Sequence, residues 1–546
     1  MNSERKIDKP LMAISLSVIL FVVVGLTLFP EQGNAIASQL FNTLTNQFGE
    51  VFLFFGFFSV IFLAKIALGK YGEIKLGNDK PEYSQFTYLA MMVCAGLGSA
   101  TVYWAFVEWG YYYMTPPFDV EPYSPMAAEW ATSYNMFHWG ISAWSLYCIA
   151  SLPVAYSFHV KKNPQLKLSA VCESIMGRFY NPVIGKVIDT IFIFSCVGAM
   201  GITLGLSVPM VTEGIAYLLG VENSFAMNVG LMLFITALFS VSSYVGIEKG
   251  MAKLSDMNTK LAVIFVLLIL IVGPTSFIIN QMTNGYGLML QNFIRMSLWT
   301  DPVEGGSFPT SWTVFYWAYW MTYVPFMALF VTKVSKGRKL KEVIGSMVIG
   351  GSAGCFIFFG VLGSFSMNVH LTEIVDVTRS ITENGGSATV IAVLNTLPAS
   401  ALFIIIFAIM STLFLATTLD SASFTLAATA ANQLDENANP PTALRLFWCL
   451  ILAAVPLAMM FIDAPLNTVQ TLAIVTSLPL MIVIFIMLYG FSKWLKEDFG
   501  GETEIVANQS TSKVTTEAKK ESASNTTASA DDSETAAYLS PSTNEG

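Results

Sequence analysis

SWTVFYWAYWMTYVPFM, residues 311–327, carries no charged side chain and heads an apolar run, 312–333, long enough to cross a bilayer as an α-helix. On a helix, Trp312, Tyr316, Tyr319 and Tyr323 fall along one side at i, i+3 and i+4 spacing, with Trp320 adjacent. The pattern has two readings. Ring faces attract cations that have no N–H to donate, above all quaternary ammonium groups. An aromatic belt at the membrane–water interface, or a packed helix seam, gives the same pattern. The stretch alone leaves both open.

Runs of this kind recur. About twelve are long enough to span, near 11–30, 51–69, 85–113, 131–159, 186–219, 227–246, 257–280, 312–333, 342–364, 398–430, 443–463 and 467–495. The chain is 54% hydrophobic and 12% charged over 546 residues, with mean hydropathy +0.60, which points to an all-α polytopic membrane protein rather than several soluble domains. The net charge of -9 owes much to the C-terminal tail and says little about partners, and no basic stripe suggests nucleic acid. Six scattered cysteines show no CxxC pair or metal spacing and read as small apolar residues.

The loops agree with the span count. With the N-terminus in the cytoplasm, the inner loops carry Lys70, Lys75 and Lys80, then Lys161, Lys162 and Lys167, then Lys249, Lys253 and Lys260, then Lys333, Lys336, Arg338, Lys339 and Lys341. The outer loops carry Asp119, Glu121, Glu129, Glu222, Asp301, Glu304, Glu373 and Asp376. Both termini are then cytoplasmic. Arg5, Lys6 and Lys9 before the first run, and Ala35-Ile36-Ala37 after it, also mimic a signal peptide, but the run's length favours a first membrane helix. Tyr286–Met296 reads as a short amphipathic helix at the outer interface. After about Gly500 the composition turns to Ser, Thr, Ala, Glu and Asp, which predicts a disordered tail.

Three further motifs carry chemistry. Gly96-Leu97-Gly98-Ser99-Ala100 lies midway through the third span. Paired glycines allow close helix packing; alternatively they break the helix, exposing N–H groups to an anionic substrate group and carbonyls to a coupling ion. Phe137-His138-Trp139-Gly140, with Trp144 and Tyr147, puts a second aromatic cluster in the fourth span, where a belt is again the alternative; His138 reads as a satisfied structural histidine. Ala416-Thr417-Thr418-Leu419-Asp420-Ser421-Ala422-Ser423 stands in the tenth span. Its hydroxyls either return bonds to helix backbones or form an oxygen cage for a hard cation such as sodium. Asp420 and Glu108 are carboxylates at membrane depth, which are functional by default; no partner for Glu108 is evident.

Together these motifs, with GIEKGMAKLSD after the sixth span and VSKGRKLKE after the eighth, resemble the betaine/choline/carnitine transporter family, from about Ile7 to Trp494. The resemblance implies a twelve-helix homotrimer with a LeuT-like core of two inverted five-helix repeats. The segments would be 1–84 with two peripheral helices, 85–280 as the first repeat, 281–311 as the outer helix and loop, 312–497 as the second repeat, and 498–546 as the tail. It implies no enzymatic activity and no cofactor beyond sodium as coupling ion. The implied trimethylammonium box is Trp139, Trp144, Tyr147, Tyr319, Trp320 and Tyr323. Tyr111 is implied as a further substrate contact and Trp312 as an outer substrate site, with the substrate carboxylate near Gly96 and Gly98. The implied sodium site takes the Cys94 and Leu97 carbonyls with the Thr417 and Thr418 hydroxyls. Thr203 and Phe326 match a second sodium site.

Departures sort the branches. Met327 matches the family's sodium-independent carnitine exchangers, but Asn258 stands where they use an arginine, and they lack the equivalents of Thr417, Thr418 and Asp420. Ala100 stands where choline carriers tend to place an aspartate. Tyr319 and Tyr323 stand where the betaine branch usually has tryptophans. The expected function is sodium-coupled uptake of a small methylated ammonium compound, most simply a betaine-like zwitterion, across a bacterial inner membrane. The alternatives are sodium-independent carnitine-type exchange, or carriage of a compact cation such as trimethylamine or choline.

Overall fold

The computed structural model describes residues 7–461, 471 and 473–499. The expected disordered tail lies outside them, apart from 498–499, which close the last helix. The chain divides into two compact units, Met1–Tyr489 and Gly490–Gly546, and the first holds the helical core.

The described residues are helical, with two isolated bridges in place of any sheet. Among the described residues, eleven helices are long and apolar enough to cross a membrane, and a bent pair, Gln85–Gly96 with Gly98–Met114, makes a twelfth span. In order the spans are Lys9–Leu28, Gly49–Leu68, Gln85–Met114, Pro125–His159, Pro182–Leu219, Phe225–Val245, Ala252–Val272, Pro309–Val334, Leu340–Leu371, Ser400–Thr429, Thr442–Phe461 and Ala473–Phe499. Several begin on a polar cap that satisfies a helix's orphan N–H groups. Asp8 accepts from Leu11 N, Ser84 from Thr87 N, Ser124 from Ala127 N and Ser224 from Met227 N. Pro125 and Pro182 stand at first helical positions, where a missing N–H costs nothing.

The sequence places the seventh span at 257–280, but the helix stops at Val272. Gly273 and Pro274 end it, and the amphipathic helix runs over Thr275–Leu298 instead of 286–296. Pro30–Gln47, Leu168–Met176, Val377–Glu383 and Gly386–Leu394 are additional helices outside the spans. The fourth span is two helices, Pro125–Trp139 and Ile141–His159, interrupted at Gly140.

The layers order themselves by burial. Lipid tails are as apolar as leucine, so helices associate here through close packing and hydrogen bonds rather than exclusion of water. The eighth span is 94% buried and the fourth nearly as much, whereas the first and sixth are 22% buried and form the rim. The fourth and eighth spans pack along each other at the centre, flanked by the third, fifth and tenth.

The basic loops meet on one face. Leu76 N donates to Arg338 O at 2.8 Å, Gly337 N to Leu76 O at 2.7 Å and Leu340 N to Ile74 O at 2.9 Å. Hydrogen bonds from Lys339 and Lys341 hold the Glu73 carboxyl down at about 2, so this clasp keeps its charge until pH falls through that value. The N-terminal segment reaches the same face: Asp8 N donates to Ala430 O at 2.9 Å, and the Asp8 carboxylate pairs with Lys186.

Candidate functional site

The third span breaks at its glycines. Gly98 has φ 59° and ψ -178°, a conformation essentially closed to residues with a side chain, and the two halves are bent by 67°. The glycines also serve close packing: a Cβ on Gly96 would stand 2.8 Å from the Trp144 ring. Close packing is thus seen at Gly96 and the break at Gly98. A Gly98→Ala variant is expected to lose most of the uptake that the sequence reading anticipates, while still inserting. The substitution adds about 1–3 kcal/mol of backbone strain and sets a methyl 3.3 Å from Thr418 Oγ1. Uptake assayed beside membrane expression checks this, and wild-type uptake would contradict it.

Around this break the aromatic rings close up. Trp139, Tyr147, Tyr319, Trp320 and Tyr323 line a cavity with Gly96, Gly98, Ala95, Ala100, Thr203 and Thr418. Trp320 stands edge-to-face to Trp139 at 4.7 Å and to Tyr147 at 5.7 Å. Tyr319 and Tyr323 join through their hydroxyls at 3.0 Å, and Tyr323 OH also reaches Thr203 Oγ1 and Ala199 O, each at 2.8 Å. None of the five rings is more than 6% exposed, which excludes a belt for them, since belt residues face outward. The free space inside is about 10 Å³, no more than the roughly 10–15 Å³ a single water needs. The rings must part to admit anything larger.

Trp144 is the member that sits behind the wall. It packs between the Gly96 and Gly351 positions, donates to Cys355 Sγ at 3.3 Å and meets Tyr147 edge-on at 5.7 Å. Tyr111 and Trp312 stand apart from the box, 5.8 Å from each other and half-buried. Trp312 continues inward through Tyr316 at 6.3 Å, and Tyr316 stacks on Trp320 at 5.7 Å, so a file of rings leads to the cavity.

Of the expected sodium ligands, Thr418 and Cys94 meet directly: Thr418 Oγ1 donates to Cys94 O at 3.0 Å, joining the tenth span to the third. The Thr417 hydroxyl turns back to the Leu413 and Phe414 carbonyls at 2.9 and 3.0 Å, the behaviour expected of an ordinary helical threonine. The Leu97 side chain is outside the described residues. Thr203 lies at the cavity, while Phe326 is fully buried and stacks on Phe330 at 6.5 Å. Asn258 is buried, its amide between Met410 O and Phe414 N at 3.1 and 3.2 Å.

The two membrane carboxylates find partners that the sequence reading missed. Asp420 does not face the cavity. It accepts from Ser242 Oγ at 2.6 Å and pairs with Arg445 at 3.2 Å. The signal was available: Arg445 stands among the first residues of the apolar eleventh span, where a charge needs a partner. Glu108 accepts from Trp139 Nε1 at 2.7 Å and from Tyr112 OH. His138 is satisfied, as expected, between Tyr112 OH at 2.7 Å and Thr313 Oγ1 at 3.0 Å.

On the face of the basic loops a vestibule of about 920 Å³ opens, lined among others by Phe158, His159, Tyr244, Lys333, Asp435 and Arg445. At the opposite end rings pack together: Phe118 lies 4.1 Å from Trp299, and Phe308 lies 4.8 Å from Tyr134.

The family described as "BCCT, betaine/carnitine/choline family transporter" matches residues 10–500. A carnitine transporter of Acinetobacter baumannii is 41% identical over 498 residues, covering 91% of this chain and 90% of that protein. YeaV, an uncharacterized transporter of Escherichia coli, is 42% identical over 434 residues, 80% of this chain and 90% of that protein. Among solved structures, a Na+-coupled sialic acid symporter in a substrate-bound outward-open state aligns over 83% of this chain and 86% of that one. At 11% identity and a TM-score of 0.41, that likeness carries no argument.

Proposed function

The chain belongs to the betaine/carnitine/choline transporter family, whose members are transporters and not enzymes, and from that premise we propose that it carries a betaine-like zwitterion into the cell, coupled to sodium. Carnitine heads the candidates, because the Acinetobacter relative is named for it. The observation that carries the reading is one cavity walled by five buried rings and floored by a broken glycine helix. Rings of that number suit a trimethylammonium head, each desolvated face contributing up to about 2 kcal/mol. The N–H groups freed at the break suit its carboxylate.

Sodium would bind where the Thr418 hydroxyl meets the Cys94 carbonyl, with Leu97 O as a further ligand. Thr417 joins only by giving up its bonds to Leu413 and Phe414. The same break in the third span then serves both ligands, so each should raise the other's affinity. Thr203, bonded to Tyr323, is the better-supported half of a second sodium site, since Phe326 makes its ring contact with Phe330 away from the cavity. Tyr111 and Trp312 form the outer station, and the vestibule at the basic face is the cytoplasmic exit. Release occurs as one five-helix repeat rocks against the other. The protein would sit as a homotrimer in a bacterial inner membrane, with both termini cytoplasmic.

The competing reading is sodium-independent exchange. It is favoured by Met327, whose methyl stands 3.3 Å from the Cβ position of Gly96, beside the box. Thr418→Val decides between them. It removes the hydroxyl while keeping the shape, and is expected to abolish the sodium dependence of uptake, read as a sodium titration of the initial rate. An exchanger would show the same rate for variant and wild type with or without sodium.

A further inference from the structure

We propose that Glu108 is a specificity-determining residue that acts on the substrate's cationic head through Trp139, from within a hydrogen-bonded chain that sets both tryptophans of the box. The inference rests on the carrier reading and deepens it.

The chain runs through three spans. Glu108 Oε2 accepts from Trp139 Nε1 at 2.7 Å, and Oε1 accepts from Tyr112 OH. Tyr112 OH meets His138 Nδ1 at 2.7 Å, and His138 Nε2 meets Thr313 Oγ1 at 3.0 Å. The His138 carbonyl accepts from Trp320 Nε1 at 3.0 Å. An indole has one polar atom, so the N–H bond fixes which face of the ring is turned to the cavity. Both box tryptophans are fixed by this one chain, and its far end touches the outer station: Tyr112 stands edge-on to Trp312 at 4.7 Å.

Glu108, Tyr112 and His138 are fully buried, and none of them lines the cavity. Shape alone does not call for a carboxylate here. A glutamine would also accept from Trp139 and could pair with Tyr112, without the expense of an ionisable group at membrane depth. What the carboxyl adds is the capacity for charge, which a cationic head one ring away favours. Accepting the indole N–H enriches the Trp139 ring and strengthens its attraction for a cation on its face. It also sets a negative group one ring away from the ammonium, where little water screens it.

The test uses purified full-length protein in proteoliposomes, with glycine betaine and carnitine as probes and thermal stability as control. Glu108→Gln is expected to raise KM for the transported probe about ten-fold while kcat changes less than about two-fold. In a Trp139→Phe background, which keeps a ring and deletes the N–H, the same change is expected to add less than about two-fold. An unchanged KM, or an equal loss in both backgrounds, overturns the inference. Should Glu108→Gln yield no folded protein, Trp139→Phe carries the test: a ten-fold rise supports the inference and a rise under two-fold overturns it. Wild-type protein that takes up neither probe overturns the betaine-like substrate reading, whereas uptake with additive variants overturns only this inference.

Discussion

Trp320→Ala is expected to raise KM for the transported trimethylammonium compound by roughly 30-fold, or to remove measurable uptake, while the protein still folds and inserts. The loss of one desolvated ring face, about 2 kcal/mol, accounts for the 30-fold. Further loss comes from what Trp320 supports. It stands edge-on to Trp139 and Tyr147, stacks on Tyr316 and touches Tyr319 and Tyr323, so its removal frees five other rings. It also leaves the His138 carbonyl without its donor. Uptake of several labelled probes, normalised to protein in the membrane, is the measurement. If every probe is taken up as by the wild type, the box assignment is wrong. Trp144→Phe makes the contrast: because Trp144 stands behind Tyr147, its effect should be several-fold smaller.

Asp420→Ala is expected to be the most damaging single change to stability. Both partners of the Asp420–Arg445 pair are nearly free of solvent, at 0% and 4% exposure. Removing one leaves an uncompensated charge in the interior, at a cost of about 3–5 kcal/mol. Replacing both, as Asp420→Leu with Arg445→Met, is expected to recover most of that loss, since an apolar pair of similar volume needs no desolvation. The measurement is the temperature at which detergent-solubilised protein aggregates. The double variant should also keep its sodium dependence, because Asp420 binds Arg445 and Ser242 rather than the cavity. A stable double variant that has lost sodium dependence would instead place Asp420 at the ion site.

These two residues show where the sequence is legible and where it is not. Twelve spans can be read from apolar length and alternating loop charge, because the bilayer imposes a length on every crossing helix. Helices such as Pro30–Gln47 and Gly386–Leu394 escape that reading, because they cross nothing and so carry no length signal. The break at Gly98 is an open alternative in the sequence, since glycine serves packing and bending equally, and only a positive φ separates the two. The ring file is visible as spacing along the eighth span. Which rings face inward depends on tertiary neighbours, and Trp144, expected in the wall, stands behind it as a support. Asp420 and Glu108 stand out as carboxylates at membrane depth; Tyr112, one helical turn after Glu108, is within reach of sequence reasoning, but Arg445 and Trp139 lie 25 and 31 residues away from them in sequence. Helical periodicity says nothing about contacts at that range.

In the proposed cycle, sodium and a trimethylammonium zwitterion share one broken helix and move together. Proteoliposomes loaded without sodium, then given an inward sodium gradient, test it most directly with labelled carnitine and glycine betaine outside. The predicted result is accumulation above the external concentration that collapses when the gradient is dissipated. Equal uptake with and without the gradient, rising only when unlabelled substrate is preloaded inside, would contradict the claim and establish exchange instead.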